Sequence, residues 1–302
     1  MDKLRAMRVF TRVVETLSFT RAAESLSLPR TTVTVAIQSL ESSLNVRLLH
    51  RNTRNLSLTT EGAHYYEACL RILDDLEDTE QAFQHVSSNP KGHIRVEVSN
   101  AIARNVIIPE LLEFNTINPN ITMAISTGDD IVDLVKNGID CAIRVGTLQD
   151  SSLIVKKVGM LDFIICGSPS YFKNHNKPQN IIDLKEHFAI RYISRQSGRP
   201  LDWVINADGE NSQLDIKSSF SVNDADSYLE CGLQGLGLIM PARFMAQNYI
   251  SSNKLIQVLP ELKTPQLPIS ILYPQRHHLS PKIKLFTDWV ASIFEKNATN
   301  LV

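Results

Sequence analysis

The chain has 302 residues, 43% of them hydrophobic and 21% charged, and a formal net charge of −1. This composition is ordinary for a globular protein, and the length allows two or three domains with sizeable cores. No apolar run approaches the roughly 18 residues that a membrane-spanning helix needs, and the N-terminus lacks the apolar stretch of a signal peptide. We therefore expect a cytoplasmic protein that does not enter a membrane.

The charged residues are unevenly distributed along the chain. Residues 1–62 hold nine Lys and Arg against five Asp and Glu, whereas residues 63–90 hold one against six. A basic N-terminal segment suits a DNA backbone, because phosphate contacts supply most of the sequence-independent affinity.

The four cysteines, Cys69, Cys141, Cys166 and Cys231, lie far apart in the sequence. They form no CxxC motif and have no histidine at ligand spacing, which argues against a zinc site and against a disulfide framework. We expect these thiols to act as small, mostly buried hydrophobic residues, and we expect no bound metal or cofactor.

Three helices are predicted in the basic segment. Apolar residues recur at helical spacing from Leu4 to Val14, which predicts a first amphipathic helix. Ser18 or Thr20 can cap a second helix over residues 18–26, and a Ser-Leu-Pro break at 27–29 separates it from a third. The second and third helices are typical of a helix-turn-helix that reads the DNA major groove. An ordinary helical hairpin in a protein core is the alternative.

A β-hairpin is predicted over residues 44–59, where two short apolar runs flank an Asn-rich turn. A hairpin that follows a helix-turn-helix is a wing. Arg51 and Arg54 lie near its tip, where they can reach phosphates or the minor groove. For either residue taken alone, a solvated basic turn is the alternative.

One long helix is predicted over residues 63–89. Its apolar positions follow steps of three and four, interrupted by Glu80, and they are Tyr66, Cys69, Leu73, Leu76 and Phe83. This heptad-like pattern favours pairing with a second copy of the helix over packing on a globular core. A homodimer suits a DNA site built from two half-sites. Pro90 and Gly92 then end the helix and predict a hinge.

Strand and helix signals alternate beyond the hinge. Strands are predicted at 93–98, 121–126 and 141–145, with helices at 106–114 and 131–137. This βαβαβ order implies a parallel, right-handed α/β unit. A second unit starts near residue 163 and includes strands at 188–193 and 220–222, a hairpin turned at Asp208-Gly209, and a helix from Asp224. A strand at 269–273 and a helix at 280–296 can return to the first unit and complete its sheet.

Taken together, these segments resemble the LysR-type transcriptional regulators. The resemblance is strongest in residues 19–24 (FTRAAE), 33–41 (VTVAIQSLE) and 48–62, and weaker in 140–144 (DCAIR) and 235–241 (GLGLIMP). It implies an α/β multi-domain protein with three parts. These are a winged helix-turn-helix (1–62), a dimerising linker helix (63–89) and a two-lobed α/β effector domain resembling periplasmic binding proteins (90–302). Lobe I takes residues 90–163 and 268–302, and lobe II takes 164–267.

The resemblance also implies partners. These are double-stranded DNA with a pseudo-palindromic operator, a small-molecule effector, a second copy of the chain in a homodimer that assembles further into a dimer of dimers, and RNA polymerase. Two positions depart from the family pattern. Val35 stands where Arg is common, and a Val can contact only a thymine methyl or a sugar, so the base preference should differ. Glu61 stands where a small residue is usual.

The DNA-contacting residues are expected on the N-terminal face of the third helix and in the wing. They are Arg30, Thr31, Thr34, Val35, Arg51 and Arg54. Arg30 can contact guanine through two hydrogen bonds, although a contact to phosphate alone is the alternative, and Thr31 and Thr34 suit bases and phosphates equally. Arg54 is the first choice within the wing.

The effector is expected at strand C-termini in the cleft between the lobes, where helix N-termini also converge. The candidates are Ser99, Asn100, Thr127, Arg144, Ser194, Asn223 and Asp224. Their backbone amides and hydroxyls suit a small polar or anionic ligand, but these residue types are also good helix caps. Arg144 either faces the cleft or pairs with a carboxylate such as Asp140.

Other functions are weighed against a ligand-responsive regulator. An α/β enzyme with an accessory DNA-binding head is disfavoured because no GxGxxG unit, P-loop, GxSxG or HExxH motif is present. A solute-binding protein is disfavoured by residues 1–62 and by the lack of a signal peptide. A cysteine-based redox-sensing regulator would need a reactive thiol of low pKa with a resolving partner, and no close cysteine pair is visible.

Overall fold

The computed structural model describes residues 2–51, 56–83, 90–128, 133–148, 153–195, 197–207, 210–275 and 280–296. The chain divides into two compact units, Met1–Ser88 and Asn89–Val302. The division falls at the hinge that Pro90 and Gly92 predict. No helix within the described ranges is both long enough and apolar enough to cross a bilayer.

Residues 2–51 and 56–83 of the N-terminal unit form four helices and a hairpin. They are α1 (Lys3–Thr16), α2 (Phe19–Ser25), α3 (Arg30–Leu44), β1 (Leu49–Arg51), β2 (Leu56–Leu58) and α4 (Thr60–Phe83). The Ser18 hydroxyl caps α2 by accepting a hydrogen bond from the Arg21 backbone N–H at 3.3 Å, and Pro29 precedes α3. Val33, Ile37 and Leu40 of α3 are buried with Phe10 of α1 in one core. The predicted three-helix arrangement is confirmed.

The wing is an antiparallel hairpin in which Leu49 pairs with Leu58 and Arg51 with Leu56. Glu41, near the end of α3, holds the start of this hairpin. Its Oε1 accepts hydrogen bonds from the backbone N–H groups of Leu48 and Leu49 at 2.9 and 3.2 Å. The helix that faces DNA in a winged helix-turn-helix is therefore tied to the wing by a side chain.

The long helix α4 begins at Thr60, three residues before the predicted start. The Thr59 hydroxyl explains the difference, because it accepts a hydrogen bond from the Gly62 N–H at 2.8 Å and donates one to the Arg47 carbonyl at 2.7 Å. Gly62 is also packed so closely on Leu48 that a Cβ would collide with the Leu48 carbonyl. The predicted residues 84–89 lie outside the described part of the chain.

Two members of the predicted pairing pattern on α4 lie within the N-terminal core. Cys69 is buried there, and Tyr66 packs beside it, with its ring centroid 6.4 Å from that of Phe10. Tyr65 also packs on Phe10, with a ring-centroid distance of 5.6 Å. The first turns of α4 thus complete the core of the unit, whereas Leu73 and Leu76, further along the helix, are half-buried and lie outside that core.

The second unit is built on a five-stranded sheet of order β4-β3-β5-β13-β6. Its strands are β3 (Gly92–Val98), β4 (Ile121–Thr127), β5 (Cys141–Val145), β6 (Leu153–Leu161) and β13 (Leu267–Pro274). The first three are parallel, as predicted, and β13 returns antiparallel between β5 and β6. Helix α10 (Pro281–Lys296) packs on this sheet. The predicted return of the C-terminal segment to lobe I is confirmed, whereas β6 was not predicted.

A continuous helical run connects β3 to β4. It contains α5 (Asn100–Ile102), a π-helical turn at Ala103–Ile107, a 3₁₀ turn at Ile108–Glu110 and α6 (Leu111–Ile117). The predicted helix at 106–114 lies within it. For the predicted helix at 131–137, residues 131 and 132 lie outside the described ranges, and residues 134–138 form a turn that ends at Gly138. A positive φ of 64° at Gly138 ends the turn before a second helical turn can form.

Within its described residues, lobe II contains short strands, three α-helices and a 3₁₀ turn at Ile182–Glu186. The strands and α-helices are β7 (Cys166–Gly167), α7 (Pro169–Asn174), β8 (Phe188–Tyr192), β9 (Val204–Ala207), β10 (Glu210–Gln213), β11 (Lys217–Val222), α8 (Ala225–Leu233), α9 (Arg243–Ser251) and β12 (Ile256–Gln257). Strands β8 and β11 are parallel, and β9 pairs with β10 as the predicted hairpin, whose turn residues 208 and 209 lie outside the described ranges. One hydrophobic core contains residues of both lobes, including Ile143 and Met245.

Candidate functional site

The exposed face of α3 carries the residues expected to read DNA. Arg30 and Thr31 are exposed in its first turn, and Val35 is 58% exposed one turn later. Thr34 is half-buried, and its hydroxyl donates a hydrogen bond to the Arg30 carbonyl at 3.0 Å. Its lone pairs remain available, so it can accept a hydrogen bond from a base but does not have a free proton to offer.

Gln38 extends this face and was missed in the sequence. It is exposed and lies at i+7 from Thr31 and i+3 from Val35, which places all three on one side of the helix. A glutamine in the major groove can pair with adenine through two hydrogen bonds. The signal was available in the sequence, because Gln38 follows Val35 by three residues and Thr31 by seven, which is the spacing of one helix face.

The wing residues are described only in part. Arg51 is the last residue of β1, opposite Leu56, and nothing is described of its side chain. Arg54 lies outside the described residues. Both strands of the hairpin lie within the described residues, whereas the turn that joins them does not.

The effector candidates of lobe I lie at one edge of its sheet. Ser99 and Asn100 follow β3, and Thr127 is the last residue of β4, where it pairs with Val98. Ser99 occupies the N-cap position of α5 without a side-chain capping bond. Because β3, β4 and β5 are parallel, their carboxyl ends share this edge, and the predicted grouping of these three residues is reproduced.

Arg144 is held by a buried carboxylate that sequence reasoning missed. Its Nη2 lies 2.9 Å from Oε1 of Glu97, which is 4% exposed, and its Nη1 donates to the Gly128 carbonyl at 3.4 Å. Asp140, the partner suggested by the sequence, accepts a hydrogen bond from the Arg95 N–H at 2.8 Å. The alternation of Val96, Glu97 and Val98 was the available signal, since it places Glu97 on the opposite face of β3 from the core.

The two lobes meet at Asn100 and Asp224. The Asn100 amide donates to Oδ2 of Asp224 at 3.4 Å, across 124 residues of sequence. Asp224 also caps α8, with its Oδ1 accepting from the Ser227 N–H at 2.8 Å. These hydrogen bonds, chiefly the one from the Ser227 backbone, lower the pKa of Asp224 although partial burial acts in the opposite direction. An ion pair between Arg104 and Asp226 at 3.4 Å, not predicted, lies on the same two helical segments.

Ser194 and Asn223 lie side by side in lobe II. The strands that precede them are paired, and the Ile193 N–H donates to the Val222 carbonyl at 2.7 Å. The Asn223 carbonyl accepts from the Tyr192 hydroxyl and from Arg195 Nε, at 3.2 and 3.3 Å, while the Ser194 hydroxyl accepts from the Ser197 N–H. The structure thus joins Asn223 to Ser194 in one group, and joins Asn100 to Asp224 in another.

The cysteines do not form a redox centre of the kind that the sequence left open. Cys69, Cys141 and Cys166 are buried, and Cys231 is half-buried. Burial raises the pKa of all four thiols, to about 11 for Cys69 and to about 12 for Cys166. Because the thiolate is the reactive form, these environments disfavour the redox-sensing alternative. Among the described residues, no three His, Cys, Asp or Glu side chains group closely enough to hold a metal ion.

Comparison with known proteins agrees with this architecture. Residues 4–63 match the family described as bacterial regulatory helix-turn-helix protein, lysR family, and residues 87–295 match the LysR substrate binding domain. The transcriptional regulator YhjC of Escherichia coli, described as uncharacterized, is 34% identical over 296 residues, covering 98% of this chain and 99% of its own.

Two solved structures are similar along nearly the whole chain. CrgA, a LysR-type transcriptional regulator from Neisseria meningitidis, has a TM-score of 0.61 and 28% identity, covering 95% of this chain and 97% of its own. The Vibrio cholerae virulence activator AphB has a TM-score of 0.58 and 28% identity, covering 96% and 98%. The chain belongs to the LysR-type transcriptional regulators, with an N-terminal DNA-binding helix-turn-helix and a substrate-binding effector domain.

Proposed function

We propose that this regulator binds its effector where Asn100 of lobe I meets Asp224 of lobe II. The observation that carries the proposal is the hydrogen bond between these two side chains at the carboxyl edge of the lobe I sheet. A ligand inserted there would exchange one interlobe hydrogen bond for contacts with both lobes. Ser99, Thr127, Ser194 and Asn223 are proposed to line the same cleft.

The charge of this junction limits the effector. The lowered pKa of Asp224 keeps its carboxylate ionised at neutral pH, so the ligand group beside it should donate a hydrogen bond. We therefore favour a polar effector that offers N–H or O–H groups to Asp224, with any anionic group directed elsewhere. Binding would shift the population of lobe arrangements, and the segment after α4 would carry that change to the DNA-binding unit.

A ligand screen tests the effector site. Metabolites are screened by thermal shift on the full chain, since a bound ligand raises stability by mass action. Each hit is repeated with Asn100→Ala, which removes the interlobe donor, and we expect at least about a tenfold weaker apparent affinity, that is, a loss of about 1.4 kcal/mol. Ser292→Ala on α10 is the matched control. Hits that bind Asn100→Ala as well as the parent protein would place the effector elsewhere.

We propose that α3 selects the DNA sequence and that the wing supplies backbone affinity. Arg30, Thr31, Thr34 and Val35 would contact bases, with the exposed Val35 preferring a thymine methyl group. Arg51 and Arg54 would contact phosphates or the minor groove. What supports this division is the exposed face of α3 and its attachment to the wing through Glu41.

Arginine substitutions separate base reading from backbone contact. Arg30→Ala should relax sequence preference by about 1–3 kcal/mol at one base position. Arg54→Ala should weaken binding to all sequences alike and reduce the salt slope of log K by about one. Selection from random DNA, followed by salt titrations, measures both effects. If Arg30→Ala weakened every sequence equally, Arg30 would be a phosphate contact.

We propose further that the protein acts as a homodimer, assembled into a dimer of dimers, on a pseudo-palindromic operator. The half-buried Leu73 and Leu76 of α4 support helix pairing. Because relatives such as YhjC and CrgA regulate transcription, we propose a cytoplasmic protein that contacts RNA polymerase at its promoters and catalyses no reaction.

A further inference from the structure

A cavity of about 620 Å³ lies in the effector domain, away from the proposed cleft site. The chain segments that connect the two lobes form much of its wall, between Asp162 and Ile165 and between Leu262 and Gln266, and α9 begins at its side with Arg243. None of the seven predicted effector residues lines it. Its volume falls within the range of about 300–1,000 Å³ that is usual for small-molecule sites.

Hydrogen bonds fix the wall of this cavity. The Arg243 N–H donates to the Asp162 carbonyl at 2.8 Å, and the Thr264 hydroxyl donates to the Phe163 carbonyl at 2.7 Å. Gln266 donates its side-chain amide to Oδ1 of Asp162 at 2.8 Å. Both connecting segments are therefore joined to each other and to α9.

The guanidinium group of Arg243, in this wall, has unfilled hydrogen-bonding capacity. Its Nε–H is buried without a hydrogen-bond partner. Its Nη2 lies 3.7 Å from Oδ2 of Asp162, which is too long for a hydrogen bond. A buried donor that lacks a partner costs free energy. The Arg243 side chain as a whole is 32% exposed, so a carboxylate in the cavity can form, with the outer nitrogens of the guanidinium, the charge-assisted hydrogen bonds that Asp162 does not make at 3.7 Å.

The other residues that line the cavity indicate what kind of ligand would fit. Arg243 and Lys263 are its two cationic side chains, against the single carboxylate of Asp162, which already accepts from Gln266. Apolar side chains, including Phe163 and Leu262, cover other parts of the wall. A site with excess positive charge and an apolar side favours an organic anion over an inorganic one, because the apolar part of the ligand is also buried.

We propose that this cavity is a second ligand site, which binds a small organic carboxylate through Arg243. The carboxylate takes the guanidinium from Asp162, and Lys263 contributes charge from the rim. Because the ligand contacts both segments that connect the lobes, its binding free energy is coupled to the arrangement of the lobes. This site is independent of the proposed effector site at Asn100 and Asp224.

Two substitutions of opposite expected sign test the proposal. Benzoate is the probe, and its affinity for the full-length protein is measured by calorimetric titration. Arg243→Gln should weaken benzoate binding by about tenfold or more. Asp162→Asn should strengthen it several-fold, because the substitution removes the competing charge while the Asn oxygen can still accept from Gln266. A purely structural role for both residues would weaken binding in both variants, which would overturn the proposal.

Ligand controls define the chemistry. Benzamide has nearly the shape of benzoate but no charge, and it should bind at least about tenfold more weakly. Equal binding of the two would overturn the proposed recognition of a carboxylate. Inorganic phosphate should bind more weakly than benzoate, and phosphate binding without benzoate binding would overturn the organic-anion assignment.

Protein controls locate the site. Lys254→Gln, a charge removal on lobe II outside the lining, should leave benzoate binding unchanged, and so should Asp224→Asn. If Asp224→Asn abolished benzoate binding and Arg243→Gln did not, benzoate would lie in the cleft. That result would overturn the cavity site and leave the proposed function intact. Should Arg243→Gln fail to fold, Lys263→Gln is used in its place, because Lys263 is exposed, and it should weaken benzoate binding.

Discussion

Gly62→Ala should destabilise the DNA-binding unit by about 2 kcal/mol or more and abolish tight DNA binding. In an ordinary helix the same change stabilises by roughly 0.5–1 kcal/mol, so the expected sign is reversed. The reason is that a Cβ at Gly62 meets the backbone carbonyl of Leu48, which also accepts the Thr59 N–H at 3.0 Å. Neither partner can rotate away, so α4 must move from the wing.

Native-state hydrogen exchange measures this loss for residues 2–83 separately from the effector domain. Gly159→Ala is the matched control, because its new Cβ would lie 3.7 Å from the nearest atom of Phe294, which is ordinary contact. We expect the control to leave both exchange and DNA affinity nearly unchanged. A Gly62→Ala protein with parental protection in α1 and α4 would show that the contact relaxes at little cost.

Arg144→Ala should strongly destabilise lobe I. It leaves the carboxylate of Glu97, which is 4% exposed, without its ion-pair partner, and one of its oxygens already lacks a hydrogen bond. Breaking a buried ion pair from one side costs about 3–5 kcal/mol, because the remaining charge is uncompensated. Urea unfolding followed by tryptophan fluorescence measures the loss, with Trp289 reporting on lobe I, where it packs 4.6 Å from Phe114, and Trp203 on lobe II.

Two comparisons identify the cause of that loss. Lys156→Ala breaks the exposed pair with Asp288, whose 2.8 Å separation is similar to the 2.9 Å of the buried pair, and it should cost less than about 1 kcal/mol. Replacing both charges, with Glu97→Leu and Arg144→Met together, should restore much of the stability, since neither charge is then left alone. A double variant as unstable as Arg144→Ala would attribute the loss to packing instead of charge.

The local elements were predictable because their signals lie in neighbouring residues. The buried positions Val33, Ile37 and Leu40 fixed the third helix, and the alternation of Ile94, Val96 and Val98 fixed β3. The start of α4 was placed three residues too late, because the cap at Thr59 depends on a partner carbonyl at Arg47, twelve residues away. Strand β6 was missed because its exposed and half-buried residues do not alternate regularly.

The proposed sites were predictable only as far as strand ends could be recognised. Polar residues after parallel strands pointed to Asn100 and Asp224, and the structure brings these two together. Which side chains pair across the fold is set by tertiary packing, so Glu97 as a partner of Arg144 and Arg243 as a partner of Asp162 were not foreseen. A charged residue within an apolar strand or at the start of a helix does not by itself show which residue will be its partner, so neither pattern identifies one.

The pairing of β6 with β13 has a consequence for how this protein can be rebuilt. Leu161, close to the point where the chain leaves lobe I, is the direct register partner of Leu267, beside the point where it returns. Lobe II is therefore one uninterrupted insertion whose two ends lie on adjacent strands, the arrangement in which inserted domains are best tolerated. It can be exchanged between relatives as a single cassette, provided that the apolar residues it shares with lobe I, such as Met245, are transferred with matching partners.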